Sequence, residues 1–275
     1  MKRERGIFMS ISKIRENARK ALSGKWGKGA LITLAYLAFF FVAGFIVGLF
    51  GEESTIGALV DLASSIIQVP LVFGLSYVFI KLKRNEEVKA FDYLTLGFSN
   101  FGRAWGIGLR SLLKLIKPFL CVIGSLLLMF VPSGLVVYNA ALLTDGGKGL
   151  AIVCLILMLV GFVAYIASLV YLAITSLLYS LTTYIAYDNP DMTALEVANK
   201  SAQMMKGNRG KLFGLELSFI GWAILAVCSL GIGYLWLLPY MQVAVVCFYE
   251  HLLGKNETTD SVENFENNTD AITEM

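Results

Sequence analysis

Six apolar blocks divide this sequence, near 30–50, 56–80, 118–143, 150–181, 212–230 and 233–252. A helix needs roughly 20 apolar residues to cross a bilayer, so each block is a candidate span. The expected fold class is all-α: a polytopic membrane protein of about six transmembrane helices in three hairpins. Turn signals separate the blocks: "GEES" at 51–54, "TDGGKG" at 144–149 and "LGIG" at 230–233. Composition agrees. The chain is 57% hydrophobic and 16% charged, against about 25% charged in soluble domains. The fourth block is long for one crossing and must tilt, bend or extend beyond the bilayer.

Charge placement sets the expected orientation. Lys and Arg concentrate in residues 1–29, 81–103 and 182–211, whereas Lys148 is the only cation in the turns opposite. The positive-inside rule then puts both termini in the cytoplasm. Residues 1–29 show no short apolar core with a small-residue cleavage site, so the first span is expected to serve as the targeting element. The domain reading is a cytoplasmic basic amphipathic helix with a glycine elbow (1–29), a six-span membrane domain (30–253) and an acidic, disordered cytoplasmic tail (254–275). In that tail Asn256-Glu257-Thr258 matches a glycosylation sequon only by chance.

One short signature is written twice. "ALSGKWGKGAL" at 21–31 and "MMKGNRGKLFG" at 204–214 both read Gly, two residues, Gly-Lys, then an apolar run. Ahead of the first copy, Ile11, Ile14, Ala18 and Leu22 recur at helical spacing. Lys13, Arg15, Arg19 and Lys20 fill the polar face, and Ser10 or Ser12 is a candidate cap. Such a helix suits an anionic leaflet. Ahead of the second copy, Asp188-Asn189-Pro190 is a turn signal, Thr193 and Glu196 form a capping-box pattern, and Leu195, Ala198, Ala202 and Met205 mark a weakly apolar face. Gly24 aligns with Gly207 and Gly27 with Gly210; all four are expected to form the elbows between in-plane helix and span. Pro70 pairs with Pro239, and Phe79 with Phe248, at one shared offset. "FDYLTLGFSNFGRAW" is a weaker third copy.

The segments "ARKALSGKWGKGALITLAY", "FGRAWGIGL", "YDNPDMTALEVANKSAQMMKGNRGKLFGLELSFIGW" and "LGIGYLWLLPYMQVAVVCFYEHL" together resemble a bacterial integral-membrane family, domain of unknown function 975. The "DNP…A…S…MKGN" block also resembles the membrane domain of some glycerophosphodiester phosphodiesterases. The resemblance spans most of residues 10–252 and is weaker at 110–175. It implies a bacterial cytoplasmic membrane and brings no established catalytic residues. The phosphodiesterases carry their chemistry in a separate soluble domain with no equivalent in this sequence.

Chemistry-bearing residues are sparse. His251, the only histidine, lies beside Glu250 at the end of the last block and reads as an interfacial residue rather than a ligand or proton relay. Cys121, Cys154, Cys228 and Cys247 lie in apolar runs without a CxxC pair and read as small buried hydrophobes. "GKWGKG" and "GNRGKL" lack the frame of a phosphate loop. Asp61, Gln68, Glu216 and Gln242 are a possible intramembrane polar site, because ionisable groups in a membrane are costly. Gln68, Asn139 and Gln242 otherwise suit interhelical hydrogen bonds, and Pro70 and Pro239 suit kinks. Arg103, Arg110, Lys114 and Lys117 share one helical face, a stripe suited to lipid headgroups; Pro118 is expected to end that helix. Gly44 and Gly48 form a GxxxG pair.

The sequence thus gives no catalytic residue, metal site or cofactor, and no nucleic-acid partner. It points to a non-enzymatic membrane protein that supports envelope homeostasis or membrane-complex assembly. Its expected partners are anionic lipids and a membrane protein or a second copy of itself. The alternatives are a small transporter or channel using Asp61, Glu216 and the proline-kinked spans, or a subunit of a membrane enzyme whose active site is in a partner.

Overall fold

The computed structural model describes the backbone of residues 10–51, 54–138 and 148–273, and the side chains of 10–51, 54–136 and 149–254. Asn139 lies outside the described residues. Every regular element among those described is an α-helix: α1 Ile11–Leu22, α2 Trp26–Phe50, α3 Thr55–Lys83, α4 Asp92–Ser99, α5 Phe101–Tyr138, α6 Lys148–Leu178, α7 Thr182–Asp188, α8 Ala194–Met205, α9 Arg209–Leu217, α10 Ile220–Cys228 and α11 Tyr234–Thr273. Six stretches are long and apolar enough to cross a membrane: Trp26–Phe50, Thr55–Lys83, Phe101–Val136, Gly149–Asp188, Arg209–Cys228 and Tyr234–Gly254. The chain therefore has the architecture of a multi-pass membrane protein.

Details of these helices depart from the sequence reading. Helix α5 runs unbroken through Pro118 and Pro132. Proline removes one N–H and crowds the carbonyl four residues back, which bends a helix without ending it when that carbonyl reaches other partners. At 38 residues and 1.5 Å each, α5 is about 57 Å long, well beyond the ~30 Å apolar core. The fifth block breaks between α9 and α10, and α6 ends at Leu178, just before α7 starts at Thr182. At each junction a serine hydroxyl takes the carbonyl three residues earlier: Ser180 on Leu177 at 2.9 Å and Ser218 on Leu215 at 2.6 Å. Helix α11 continues to Thr273. Cys121 and Cys228 are exposed, whereas Cys154 and Cys247 are buried; a thiol on a lipid-facing surface needs no protein cover.

The chain forms two compact units, residues 108–180 and the remainder. In the smaller one α5 and α6 approach closely, because a Cβ at Gly161 would sit 2.8 Å from the Met129 nitrogen. The Ser125 and Ser168 hydroxyls meet 3.3 Å apart in the buried seam. Small residues serve helix association in lipid in this way.

In the larger unit the core surrounds the second half of α3. Between Pro70 and Ile80 only Val72 is exposed, and α1, α2, α4, α7 and α11 all contact the helix. Gly74 faces the backbone of α4: a Cβ there would overlap the Tyr93 carbonyl oxygen, and one at Gly97 would overlap that of Pro70. The Tyr93 hydroxyl donates to the Ala35 carbonyl at 3.0 Å, tying α4 to α2. By contrast, α2 and the first half of α3 expose Phe41, Phe45, Leu49, Leu59 and Leu62.

The repeated signature is a repeated structure. Ser10 caps α1 by accepting from the Lys13 N–H. Thr193 caps α8 by accepting from the Glu196 N–H, and Glu196 bonds back to complete the capping box. Those bonds hold the Glu196 carboxyl below its usual range, so the cap contributes above that range and is lost as pH falls through the lowered value. Both helices have 12 residues. The three positions that α1 buries, Ile14, Ala18 and Leu22, are buried in α8 too, as Val197, Ser201 and Met205, and α8 adds Ala198 and Met204. Both end in a type II turn. Ser23 has φ −58° and ψ 128°, and Lys206 has φ −63° and ψ 117°. Gly24 follows at φ +75° and Gly207 at φ +81°. Lys25 N–H closes the first turn on Leu22 O at 2.8 Å, and Asn208 N–H closes the second on Met205 O at 3.0 Å. Gly27 and Gly210, expected as elbow residues, instead lie inside α2 and α9 with open space around them. The third copy keeps the order helix, Asn100, helix, but no glycine there has positive φ.

These glycines should separate into three classes on unfolding in detergent. Gly24→Ala and Gly207→Ala should each cost about 1 kcal/mol through left-handed strain. Gly27→Ala and Gly210→Ala should be neutral or slightly stabilising. Gly74→Ala should cost about 3 kcal/mol, because backbone blocks the added methyl. Equal losses at Gly24 and Gly27 would contradict the turn assignment.

Candidate functional site at the charged helix ends

The apolar half of α3 ends in Lys81, Lys83 and Arg84, and α7 ends in Asp188. The buried part of α11 carries Glu250. The fold brings these charges together. Arg84 grips Asp188 with both terminal nitrogens, at 2.6 and 2.9 Å, the bidentate geometry that suits guanidinium and carboxylate. Its Nε faces Glu250 at 3.4 Å, and its guanidinium lies 5.6 Å from the Tyr187 ring centroid. Lys83 pairs with the same Glu250. The Tyr249 hydroxyl donates to Asp188 Oδ2 at 3.0 Å, and that of Tyr184 donates to Gln242 at 3.0 Å. Hydrogen bonding to Asp188 pushes the Arg84 pKa further up, against the opposing effect of burial. All four charged side chains are half-buried, which weakens water screening without full desolvation.

Around this cluster other cations also bind protein. Lys25 donates to the Leu82 carbonyl at 2.8 Å and to Asn85. Arg103, expected among the headgroup cations, instead donates to the carbonyls of Asn189, Pro190 and Met192. The proline-containing turn leaves those carbonyls without helical partners, and a fork of N–H donors is well matched to them. Lys200 adds a 3.3 Å bond to the Asn189 side chain.

The remaining predicted residues are dispersed. Lys13, Arg19 and Lys20 are exposed on α1. Lys20 bonds Glu16 at 2.6 Å and holds that carboxyl below its usual range. Arg15 is half-buried: its Nε donates to the Tyr240 hydroxyl at 3.4 Å, and it lies over the Phe219 ring at 5.4 Å. The apolar face of α1, expected against a leaflet, packs inside the protein against α11 and α3, because those helices present a complementary apolar surface first. In the smaller unit Arg110, Lys114 and Lys117 are exposed on α5. Asp61 is exposed beside Gly44 and Gly48 in an open groove of about 460 Å³. Gln68 and Glu216 are exposed, and Gln242 makes the interhelical bond already described. No hydrogen bond joins Asp61, Gln68, Glu216 and Gln242 among the described residues. No cluster of metal-ligating residues occurs among them either.

The family model described as "Protein of unknown function (DUF975)" matches residues 9–256. The chain belongs to this family. The match starts at the α1 cap and ends just past the buried part of α11, so the family unit contains both type II turns and the whole charged cluster. No curated protein and no solved structure matches the chain, and the likeness to the phosphodiesterase membrane domain is not borne out.

Reading the sequence alone misses the cluster. Arg84 counts there as an orientation charge, Asp188 as a turn signal and Glu250 as the neighbour of His251. The available signal is shared position: each charge lies at the end of a long apolar run, and both acids follow a tyrosine, Tyr187 and Tyr249. Asp188→Ala should lower unfolding free energy by roughly 2 kcal/mol, since it leaves Arg84 and the Tyr249 hydroxyl without their acceptor. In a double-mutant cycle, Arg84→Ala combined with Asp188→Ala should cost less than the two single losses added together. Strict additivity in detergent unfolding would mean that the pair is not coupled.

Proposed function

We propose that this protein is a non-catalytic integral membrane protein of the bacterial cytoplasmic membrane, with both termini in the cytoplasm. It holds anionic phospholipid against its exposed cations and so supports envelope homeostasis or the assembly of other membrane components. The observation that carries this reading is a division of labour among the cations. Lys25, Lys83, Arg84 and Arg103 bind protein acids and carbonyls. Lys13, Arg19, Arg110, Lys114 and Lys117 stand exposed, with no hydrogen bond or ion pair of their side chains among the described residues. The positive-inside rule assigns the segments bearing both sets to the cytoplasmic side, where anionic headgroups lie. Transport through Asp61, Gln68, Glu216 and Gln242 has less support, because these residues do not converge.

Each cation near an anionic surface contributes roughly 1 kcal/mol. Added phosphatidylglycerol should therefore raise the thermal midpoint of the parent protein more than added phosphatidylcholine. Changing Arg110, Lys114 and Lys117 together to glutamine should remove much of that difference. A parent protein that responds equally to both lipids would overturn the proposal. Single cysteines at Ser10 and Ser54 test orientation: only Ser54→Cys should label in intact cells.

A further inference from the structure

We infer that the cleft between α1, α2, α10 and α11 is a binding site for one phospholipid with an anionic headgroup. This inference rests on the anionic-lipid reading above and gives it a defined place. The cleft encloses about 460 Å³, within the usual range of small-molecule sites. Arg15 and Arg19 contribute its charge, and Trp26, Trp222, Trp236 and Tyr240 much of its wall. Three of the chain's four tryptophans therefore meet in one place. Tryptophan favours the boundary between headgroups and hydrocarbon, where an apolar ring with one donor fits both sides.

Charge complementarity names the occupant. No carboxylate lines the cleft. Glu16, the only acid on α1, is bonded to Lys20. Arg15 is held in place through Nε by the Tyr240 hydroxyl and through its face by Phe219. Its two terminal nitrogens make no hydrogen bond among the described residues and remain as donors for a phosphate. Arg19 lies one turn further along α1, on the same face. Away from the arginines the wall is apolar and open: Trp222 is 55% exposed and Leu225 is 61% exposed. Large apolar side chains this open, on helices this apolar, face hydrocarbon. An anionic head on the arginines with an acyl chain along the tryptophans satisfies both ends of the cleft. A free phosphate would leave the apolar end unused.

The test uses the full chain in nanodiscs containing phosphatidylglycerol or phosphatidylcholine with brominated acyl chains, which quench nearby tryptophans. Trp105 is an internal reference outside the cleft, with its indole N–H donating to the Ile66 carbonyl. At equal mole fraction, brominated phosphatidylglycerol should quench emission more strongly than brominated phosphatidylcholine. Arg19→Gln should reduce this preference roughly fivefold, and Arg19 is exposed, so the fold tolerates the change. Trp222→Phe with Trp236→Phe should remove most of the differential signal. The Arg110/Lys114/Lys117 glutamine variant should retain it. Equal quenching by the two lipids would overturn the site. Loss of the preference on adding millimolar inorganic phosphate would also overturn it, in favour of a soluble-anion site. If quenching shows no preference while phosphatidylglycerol still stabilises the protein, the cleft fails and the broader reading stands. If both responses vanish, both fail.

Discussion

The approach of α4 to α3 is the contact on which the larger unit depends. A helix enclosed by five others needs at least one neighbour close enough to leave room for the rest. Gly74 and Gly97 provide this by letting backbone meet backbone, where any side chain would overlap a carbonyl oxygen. With α4 seated, Tyr93 reaches α2, and α1, α7 and α11 close around the remaining faces of α3. The packing is dense in the half of α3 after Pro70. Before it, the helix exposes apolar side chains, as expected where lipid replaces protein as the solvent.

The duplicated segment shows one local structure put to two uses. Cap, 12-residue helix, type II turn and start of the next helix recur with the same turn bonds, and the three positions buried in α1 are buried in α8. What differs is the outer face. On α1 that face carries exposed cations beside a tryptophan-lined cleft. On α8 it carries the capping box and Lys200, which bonds back to the turn held by Arg103. The buried faces are both committed to the core. The chain can therefore vary surface chemistry in either copy without disturbing the packing that the repeat supplies.

Ion pairs concentrate where the spans end, and electrostatics explains why. A charge deeper in the apolar region costs several kcal/mol, whereas a fully solvated pair contributes little. Arg84, Asp188, Lys83 and Glu250 occupy the range between, half-buried and mutually bonded. There the attraction is only partly screened, and it fixes the ends of α3 and α7 to each other and to α11.

The sequence by itself determined the all-helical class, the number of candidate spans and the repeat, because block length, composition and glycine spacing are local properties. It also contained the buried face of α8. Carrying Ile14, Ala18 and Leu22 through the Gly24–Gly207 alignment gives Val197, Ser201 and Met205, whereas the apolar face Leu195, Ala198, Ala202 and Met205 shares Ala198 and Met205 with the buried set but includes Leu195, which is 42% exposed. Tertiary structure alone decided which glycines turn and which merely lie in helices, since Gly24 and Gly27 look alike in a string of letters and differ in φ. It alone decided that Arg103 binds carbonyls while Arg110 stays exposed, although one helical face carries both. It alone brought Arg84 to Asp188 and Arg15 to Tyr240, across long stretches of chain. Periodicity records which face a residue occupies; what lies opposite that face depends on how distant helices pack, and packing follows from shape and close approach that no single segment contains.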